Sequence, residues 1–494
     1  MDVQVDVNVD MDVNVDAPAG SASRPRPTLP RALGVLTATA IVVGSVVGSG
    51  IFKKAAPMAA ELPSPSLVLL LWVAAAGISF LGALCAAELA AAFPDAGGLY
   101  AHLRRAFGPF TGFLYGWSVL SVIQTGTLAS IAYIFAEYLR VFGGWGDPSP
   151  GVAAWGFTAF GVLDFYPLRD LGTKAVAVTC LLVVTALNVQ GVRLGARVQD
   201  VFLWIKLLIL AGIMAVGVVG ARSLLAPFEG PLVPPGLDPS SVGWGPLVGA
   251  LTLGLSSVFW AYDGWINVTY VGTEMRNPSK DFPRALAIGM LLVTAGYLGV
   301  NGAYFALLPI DAVATSSLVA ADAVSTVVPG GAMLVALAVI LSTFGALNST
   351  ALVSARVYWA MSRDDLLWRG IDAVHARRKT PHVSLWVQFV WSSVLVFSGT
   401  FDQITDMLIF VSWAFYGLLA VAVVVARIRF PDAPRPFKVP GYPWVPLSFA
   451  LFSAVFVVLS IVKNTRNALV GTALVAIGVP FYLYFRRRAT RTPT

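Results

Sequence analysis

Charge is scarce in this chain. Asp, Glu, Lys and Arg make up 12% of its 494 residues, against about 25% in a soluble domain. Hydrophobic residues reach 57% and the mean hydropathy is +0.77, which excludes a soluble protein. Cysteine is nearly absent. Cys85 and Cys180 both fall inside long apolar runs, where free thiols behave as small hydrophobes, so no structural disulfide is expected. The three histidines, His102, His375 and His382, stand apart from other ligand types, and no Ser/His/Asp constellation is visible. A metal, a cofactor and an enzymatic role are therefore not expected. No secretory signal is expected either, because the first thirty residues lack a basic start and a continuous apolar core. Instead they alternate Val with Asp and Asn, with five aspartates before residue 17. An isolated acidic strand buries nothing, so 1–32 reads as a disordered cytoplasmic tail.

What is abundant is long apolar runs. A membrane-spanning helix needs about 20 apolar residues, and twelve candidate spans can be placed, near 33–60, 65–93, 109–140, 172–189, 200–220, 246–272, 284–309, 331–360, 383–400, 403–428, 444–462 and 467–485. The expected class is an all-α polytopic membrane protein. The run 151–163 is too short and Gly-rich to span, and reads as an external loop packed on the protein. With the N-terminus inside, 23 of the 33 basic residues fall on the inner side, eight outside, and Lys206 and Arg356 within spans. That bias sets the orientation, with both termini cytoplasmic and 486–494 a basic tail. The net charge of +7 thus reports topology and contact with anionic lipid, not nucleic acid. Arginine outnumbers lysine 25 to 8, a bias that suggests a bacterial inner membrane.

Two spans are interrupted at about mid-depth. Gly48-Ser49-Gly50 breaks the first and Ala261-Tyr262-Asp263-Gly264-Trp265 the sixth. Lipid cannot satisfy freed backbone groups, so such breaks survive only where they line a polar cavity. Breaks in corresponding positions of two halves point to a secondary transporter's substrate site. Spans 1–5 (33–220) and 6–10 (246–428) each open with a broken helix. An odd number of helices per repeat makes the repeats inverted, with spans 11 and 12 (444–485) appended after the Pro-rich linker 429–443.

The first break offers N–H groups at Gly48, Ser49, Gly50 and Ile51 to a carboxylate, helped by the positive end of the resumed helix. Glycine there allows close approach and φ > 0; the competing reading is small-residue helix packing. Carbonyls of Trp260, Ala261 and Tyr262 offer acceptors to an ammonium, so the two breaks together complement an α-amino acid. Trp260 and Trp265 are candidate aromatic gates or ordinary packing. Asp263 could meet a cationic side chain, carry a proton or cap the following half-helix. Lys206 could hold the broken helix's carbonyls as a bound cation would, release a proton, or reach a headgroup. Asn348 and Ser349 could line the cavity or bond neighbouring helices.

At these residues the chain resembles the amino acid–polyamine–organocation superfamily, and within it the L-type (LAT-like) amino acid transporter branch, over roughly 33–460. The matching motifs are GSGIF (Gly48 to Phe52), ALCAAEL (Ala83 to Leu89), PDAGGLY (Pro94 to Tyr100), FWAYDGW (Phe259 to Trp265) running into VGTEMRNPSKDFPRA (Val271 to Ala285), SARVYWAMSRD (Ser354 to Asp364) and RPFKVPGYP (Arg435 to Pro443). The resemblance implies a LeuT-like 5+5 inverted repeat with 12 transmembrane helices and alternating-access amino acid exchange without sodium. It implies that the GSGIF turn binds the α-carboxylate and that the carbonyls from Trp260 to Tyr262 bind the α-amine. It also implies that Trp260 gates and that Lys206 stands where sodium sits in sodium-coupled relatives. Two departures matter. Many relatives carry a small residue at Asp263, and animal members hold a cysteine in the loop after helix 3 that links an ancillary glycoprotein. Loop 141–171 has none, so no disulfide-linked subunit is expected. Proton-coupled uptake of amino acids or polyamines is the alternative, and a non-transporting sensor or enzyme the remote one.

Overall fold

The computed structural model describes residues 31–146, 148–159, 163–221, 228–398 and 401–491. The acidic tail expected over 1–32 lies almost wholly outside them. The first span is three helices, α1 (Val35–Val46), α2 (Gly50–Lys53) and α3 (Ala55–Glu61), followed by α4 (Pro65–Ala92). Ser64 starts α4 by accepting from Leu67 N at 3.3 Å, with Pro65 in the first turn, where its missing N–H costs nothing. After α5 (Leu99–Phe107), the third span runs as α6 (Pro109–Ser118), a π-helical turn at Val119–Ile123 and α7 (Gln124–Leu139). Next come α8 (Pro150–Ala153), strands β1 (Phe157–Ala159) and β2 (Leu163–Phe165), α9 (Leu171–Gln190) and α10 (Val192–Gly220).

The second half begins with α11 (Pro239–Val242) and α12 (Trp244–Tyr262), and the sixth span resumes as 3-10 turns at Trp265–Tyr270 and Gly272–Glu274. Then follow α13 (Pro278–Leu307), α14 (Ile310–Thr315), α15 (Val319–Ser325), α16 (Gly331–Arg363), α17 (His382–Ser398), α18 (Phe401–Arg429), α19 (Trp444–Lys463) and α20 (Thr465–Arg491). Among the described residues eleven stretches are long and apolar enough to cross a membrane, and α17, at the expected ninth span, is a shorter apolar helix.

Two expectations need correction. Residues 151–157 are largely exposed rather than packed on the bundle: Trp155 and Phe157 are more than half exposed, and the short antiparallel hairpin pairs Phe157 with Phe165. Backbone pairing, not burial, orders that segment. Nor do Gly48 and Gly50 adopt positive φ; that conformation falls to Gly264, at φ +106°.

The buried core runs through the whole bundle. α1 packs against α10, α13 and α16, while α4 runs along α13 and α12. Every residue from Ala38 to Phe52 is buried. Polar groups there must find partners inside the bundle, and those partners define the site.

Candidate functional site

The two interruptions touch. A Cβ on Gly50 would stand 2.6 Å from Ala261 Cα, closer than any side chain tolerates, whereas one on Gly48 would meet Ala346 Cβ at an ordinary 3.4 Å. Glycine at 50 thus serves the approach of the second break's backbone. At Gly264 the positive φ turns the chain so tightly against α1 that a Cβ would lie 2.9 Å from Ser45 O. The Tyr297 hydroxyl, from α13, sits 2.8 Å from Val46 O and 2.9 Å from Ala261 O, reaching both breaks at once.

Donors and acceptors converge here. Among the described residues no backbone carbonyl takes the N–H of Ser49, Gly50 or Ile51, and Ser49 Oγ is buried with no protein partner. These groups can hold a carboxylate. Opposite them, Trp260 O is partly used, accepting from Asp263 N at 3.2 Å, and Ala261 O accepts from Tyr297. Trp260 and Trp265 are both buried, at 6% and 1% exposure. Trp265 packs on Tyr416 with ring centroids 5.1 Å apart.

Lys206, from α10, is fully buried and does not reach a headgroup. Its Nζ donates to Gly44 O at 2.8 Å and Val47 O at 2.5 Å, with Ser342 Oγ 3.5 Å from the same Val47 O. The ammonium therefore caps the carbonyl end of α1, where the helix dipole is negative. Asp263 does not cap the resumed half-helix, whose start carries no side-chain cap bond. It accepts instead from the Tyr416 hydroxyl of α18 at 2.6 Å. Asn348 and Ser349 join helices: Asn348 accepts from Asn188 at 3.0 Å and donates to Gly195 O at 3.3 Å, while Ser349 meets Ser45 Oγ at 2.9 Å.

Sequence reasoning missed the tyrosines, since a tyrosine in an apolar span carries no signal. Tyr115 and Tyr270 hydroxyls lie 2.5 Å apart and Gln124 donates to Asn267 Oδ1 at 2.8 Å, extending the polar layer beneath the breaks. It also missed a latch at the end of the bundle where α1 begins. Arg356, the intramembrane arginine of α16, pairs with Glu274 through Nε–Oε1 at 2.7 Å and Nη2–Oε2 at 3.0 Å, both residues almost fully buried. The main-chain carbonyl of Glu274 accepts from Ala32 N and Leu33 N, and Leu33 O accepts from Arg276 N. Nearby, burial pushes the His102 imidazole of α5 below its usual pKa, with Nε2 2.9 Å from Phe93 O. His375 and His382, expected to stand apart, meet edge to face at 5.6 Å, but no group of three potential metal ligands forms among the described residues.

The motifs of the sequence come together in pairs. Glu88 of ALCAAEL takes both Arg427 (2.8 and 2.6 Å) and Val439 N of RPFKVPGYP (2.7 Å). Gly97 N of PDAGGLY donates to Tyr270 O at 3.0 Å, and Tyr100 of the same motif donates to Asp364 of SARVYWAMSRD at 2.7 Å.

Residues 33–482 match the amino acid permease family. The chain is 30% identical to the human b(0,+)-type amino acid transporter 1 over 459 residues, covering 93% of this chain and 88% of that protein. It is 29% identical to the human large neutral amino acids transporter small subunit 2 over 464 residues, 92% and 80% of the two chains, and 31% identical to the mouse protein of that name over 466 residues, 92% and 81%. These relatives are transporters, not enzymes. The large neutral amino acids transporter relatives are named as small subunits, which speaks of an assembly, so the expectation of working without an ancillary subunit draws no support from them. A family match across nine-tenths of the chain, with its interrupted helices meeting at the core of an apolar multi-span bundle, makes this protein a member of the amino acid permease family, in its L-type branch.

Proposed function

We propose that this chain exchanges amino acids across the plasma membrane by alternating access, without sodium. The observation that carries the reading is the contact of the two breaks at Gly50 and Ala261, which sets free N–H donors beside carbonyl acceptors inside an apolar bundle. A zwitterion complements that arrangement: its carboxylate at Ser49, Gly50 and Ile51, with the Gly48 turn behind them, and its ammonium at the carbonyls of Ala261 and Tyr262. Trp260 and Trp265 close the site. Lys206 supplies the positive charge at Gly44 O and Val47 O that a sodium ion would otherwise bring. Asp263, whose Oδ1 accepts from the neutral Tyr416 hydroxyl, gives a cationic substrate side chain a counter-charge.

In this reading, spans 1–5 and 6–10 form LeuT-like inverted repeats with α19 and α20 appended, and both termini face the cytoplasm of a bacterial cell, as the Lys and Arg distribution supports. The absence of cysteine from loop 141–171 and the burial of Cys85 and Cys180 support a narrower statement on partners: any ancillary subunit is held without a disulfide through that loop. Proton-coupled uptake is the second reading, favoured by one feature. Lys206 donates to neutral carbonyls, so its charge rests on dipoles alone and can be given up in the cycle.

Uptake of a labelled amino-acid panel into proteoliposomes decides between them. The vesicles are run with and without internal amino acid, at two external pH values, without sodium. Uptake that requires internal amino acid supports exchange. Uptake into empty vesicles driven by an inward proton gradient supports the second reading, and no uptake by folded protein overturns both.

A further inference from the structure

The segment that enters the bundle is tied to the segment that starts α13. Leu33 bridges Met275 in parallel, with Leu33 N donating to Glu274 O at 3.0 Å and Arg276 N to Leu33 O at 2.9 Å. Around this tie stand four exposed cations, Arg31, Arg276, Lys280 and Arg284. Lys280 and Arg284 are four residues apart on α13, about 6 Å along one helix face. None of the four pairs with a carboxylate among the described residues. Other cations assigned to the inner side are paired: Arg104 with Asp364 at 3.2 Å, Arg105 with Asp95 at 2.9 Å and Arg427 with Glu88 at 2.6 Å. Asp281, next to Lys280, turns its Oδ2 to Asn277 N at 3.3 Å. The patch carries a surplus of positive charge.

The sequence just upstream carries the opposite sign. From residue 1 to 16 every aspartate, Asp2, Asp6, Asp10, Asp12 and Asp16, holds an even position and every valine an odd one. In an extended chain successive side chains point to opposite sides, so all five acids share one edge. Asp10 and Asp12 then stand about 6.7 Å apart, close to the spacing of Lys280 and Arg284. Asp16 precedes Arg31 by fifteen residues. A coil of that length spans about 21 Å, so the acids meet the patch at an effective concentration of millimolar order. Anionic lipid also attracts such cations, but only this segment is tethered beside them with its acids in a row.

We propose that the acidic segment 2–16 docks on Arg276, Lys280 and Arg284 and brakes the opening of this end of the bundle. Docked, it ties the start of α13 to the entry of α1 from outside, across the same strand pair that Glu274 holds from within. The Debye length falls from about 30 Å at 0.01 M salt to about 3 Å at 1 M, so rising ionic strength releases the brake. The brake rests on the transport reading; the contact does not.

The contact is tested with Val13→Cys and Ser279→Cys in the full-length protein, one copy per lipid nanodisc, joined by a short bismaleimide and read by mass spectrometry. Both native cysteines are buried, and each single-cysteine protein is a control. Cross-linking slows at least about five-fold in 0.5 M KCl and in Lys280→Glu/Arg284→Glu. The charge swap completed by Asp10→Lys/Asp12→Lys on that background restores it. Tethering alone survives these charge changes, so a rate unmoved by them overturns the proposal. Discs of phosphatidylcholine are compared with discs containing phosphatidylglycerol. Cross-linking seen in the first and lost in the second gives the patch to anionic lipid and overturns the proposal too. Amino-acid exchange in proteoliposomes reads the brake: at low salt Asp10→Asn/Asp12→Asn exchanges at least about two-fold faster than the unsubstituted protein. Exchange unchanged while cross-linking is lost overturns the brake. Charge-dependent cross-linking without uptake of any amino acid keeps the contact and removes the transport reading instead.

Discussion

Replacing Arg356 by methionine leaves the Glu274 carboxylate, fully buried in the native protein, with no countercharge. The pair is bidentate at 2.7 and 3.0 Å, and Arg356 Nη1 also donates to Leu352 O. Removing one partner of such a pair costs about 3–5 kcal/mol, because the surviving ion must stay desolvated or pull the structure open. Glu274 can escape by moving. Its main-chain carbonyl holds Ala32 and Leu33, so movement of its segment releases the entry to α1. If the latch exists only while this end is closed, losing it shifts the closed-to-open equilibrium by about two to three and a half orders of magnitude at 1.4 kcal/mol per decade. A cysteine at Leu33, 1% exposed in the native protein, reads that shift. In the Arg356→Met protein it becomes labelled by an impermeant thiol reagent added from the latch side, and the melting temperature falls. The double variant Glu274→Leu/Arg356→Met removes both charges and recovers protection, since apolar replacement of a buried pair is close to neutral. Protection and melting unchanged in Arg356→Met alone refute the latch.

Gly50→Ala drives a Cβ into the backbone of Ala261 and loses folded, active protein, with overpacking of at least about 1–3 kcal/mol, while Gly48→Ala keeps near-normal uptake; equal behaviour of the two breaks the contact argument. Lys206→Ala strands the carbonyls of Gly44 and Val47 and lowers exchange at least about ten-fold, consistent with about 1–3 kcal/mol for unpaired buried polar groups; unchanged flux at every pH removes Lys206 from the mechanism. Asp263→Gly abolishes uptake of lysine and arginine and retains small neutral amino acids, read from a competition panel. His102, held below its usual pKa by burial, binds fewer protons folded than unfolded, so it costs stability as pH falls through the unfolded value of about 6.5. His102→Gln therefore flattens the fall of melting temperature below that pH, and an unaltered profile places the acid sensitivity elsewhere.

Much of this architecture is written in sequence as interruption. A Gly-Ser-Gly in one apolar run and Asp-Gly in another mark the places where backbone must find partners other than its own helix, and the contact of Gly50 with Ala261 follows. Lys206 was legible for the same reason: a lone ammonium in an apolar span needs acceptors, and the open end of α1 provides them. Other features have no local signature. Tyr297 and Tyr416 look like ordinary members of apolar helices until α13 and α18 are placed, because which face of a helix meets the site depends on packing. Glu274 and Arg356, 82 residues apart, are a pair only once the sixth span has been turned back beside α16. The close approach expected of the first break is found at Gly50, whereas the left-handed backbone expected there sits at Gly264.

A hydroxyl owns one hydrogen, and Tyr297 stands before two carbonyls, so at any instant it can serve only one of them. Val46 O has a second donor in Gly48 N, at 2.8 Å; Ala261 O has none among the described backbone donors. When the phenolic proton serves Ala261 O, Val46 O keeps Gly48 N alone; when it serves Val46 O, Ala261 O has no backbone donor among the described residues. An arriving ammonium brings three protons. It can take over Ala261 O and return the phenolic proton wholly to Val46, so that occupancy of one broken helix tightens the other without a bond being lost.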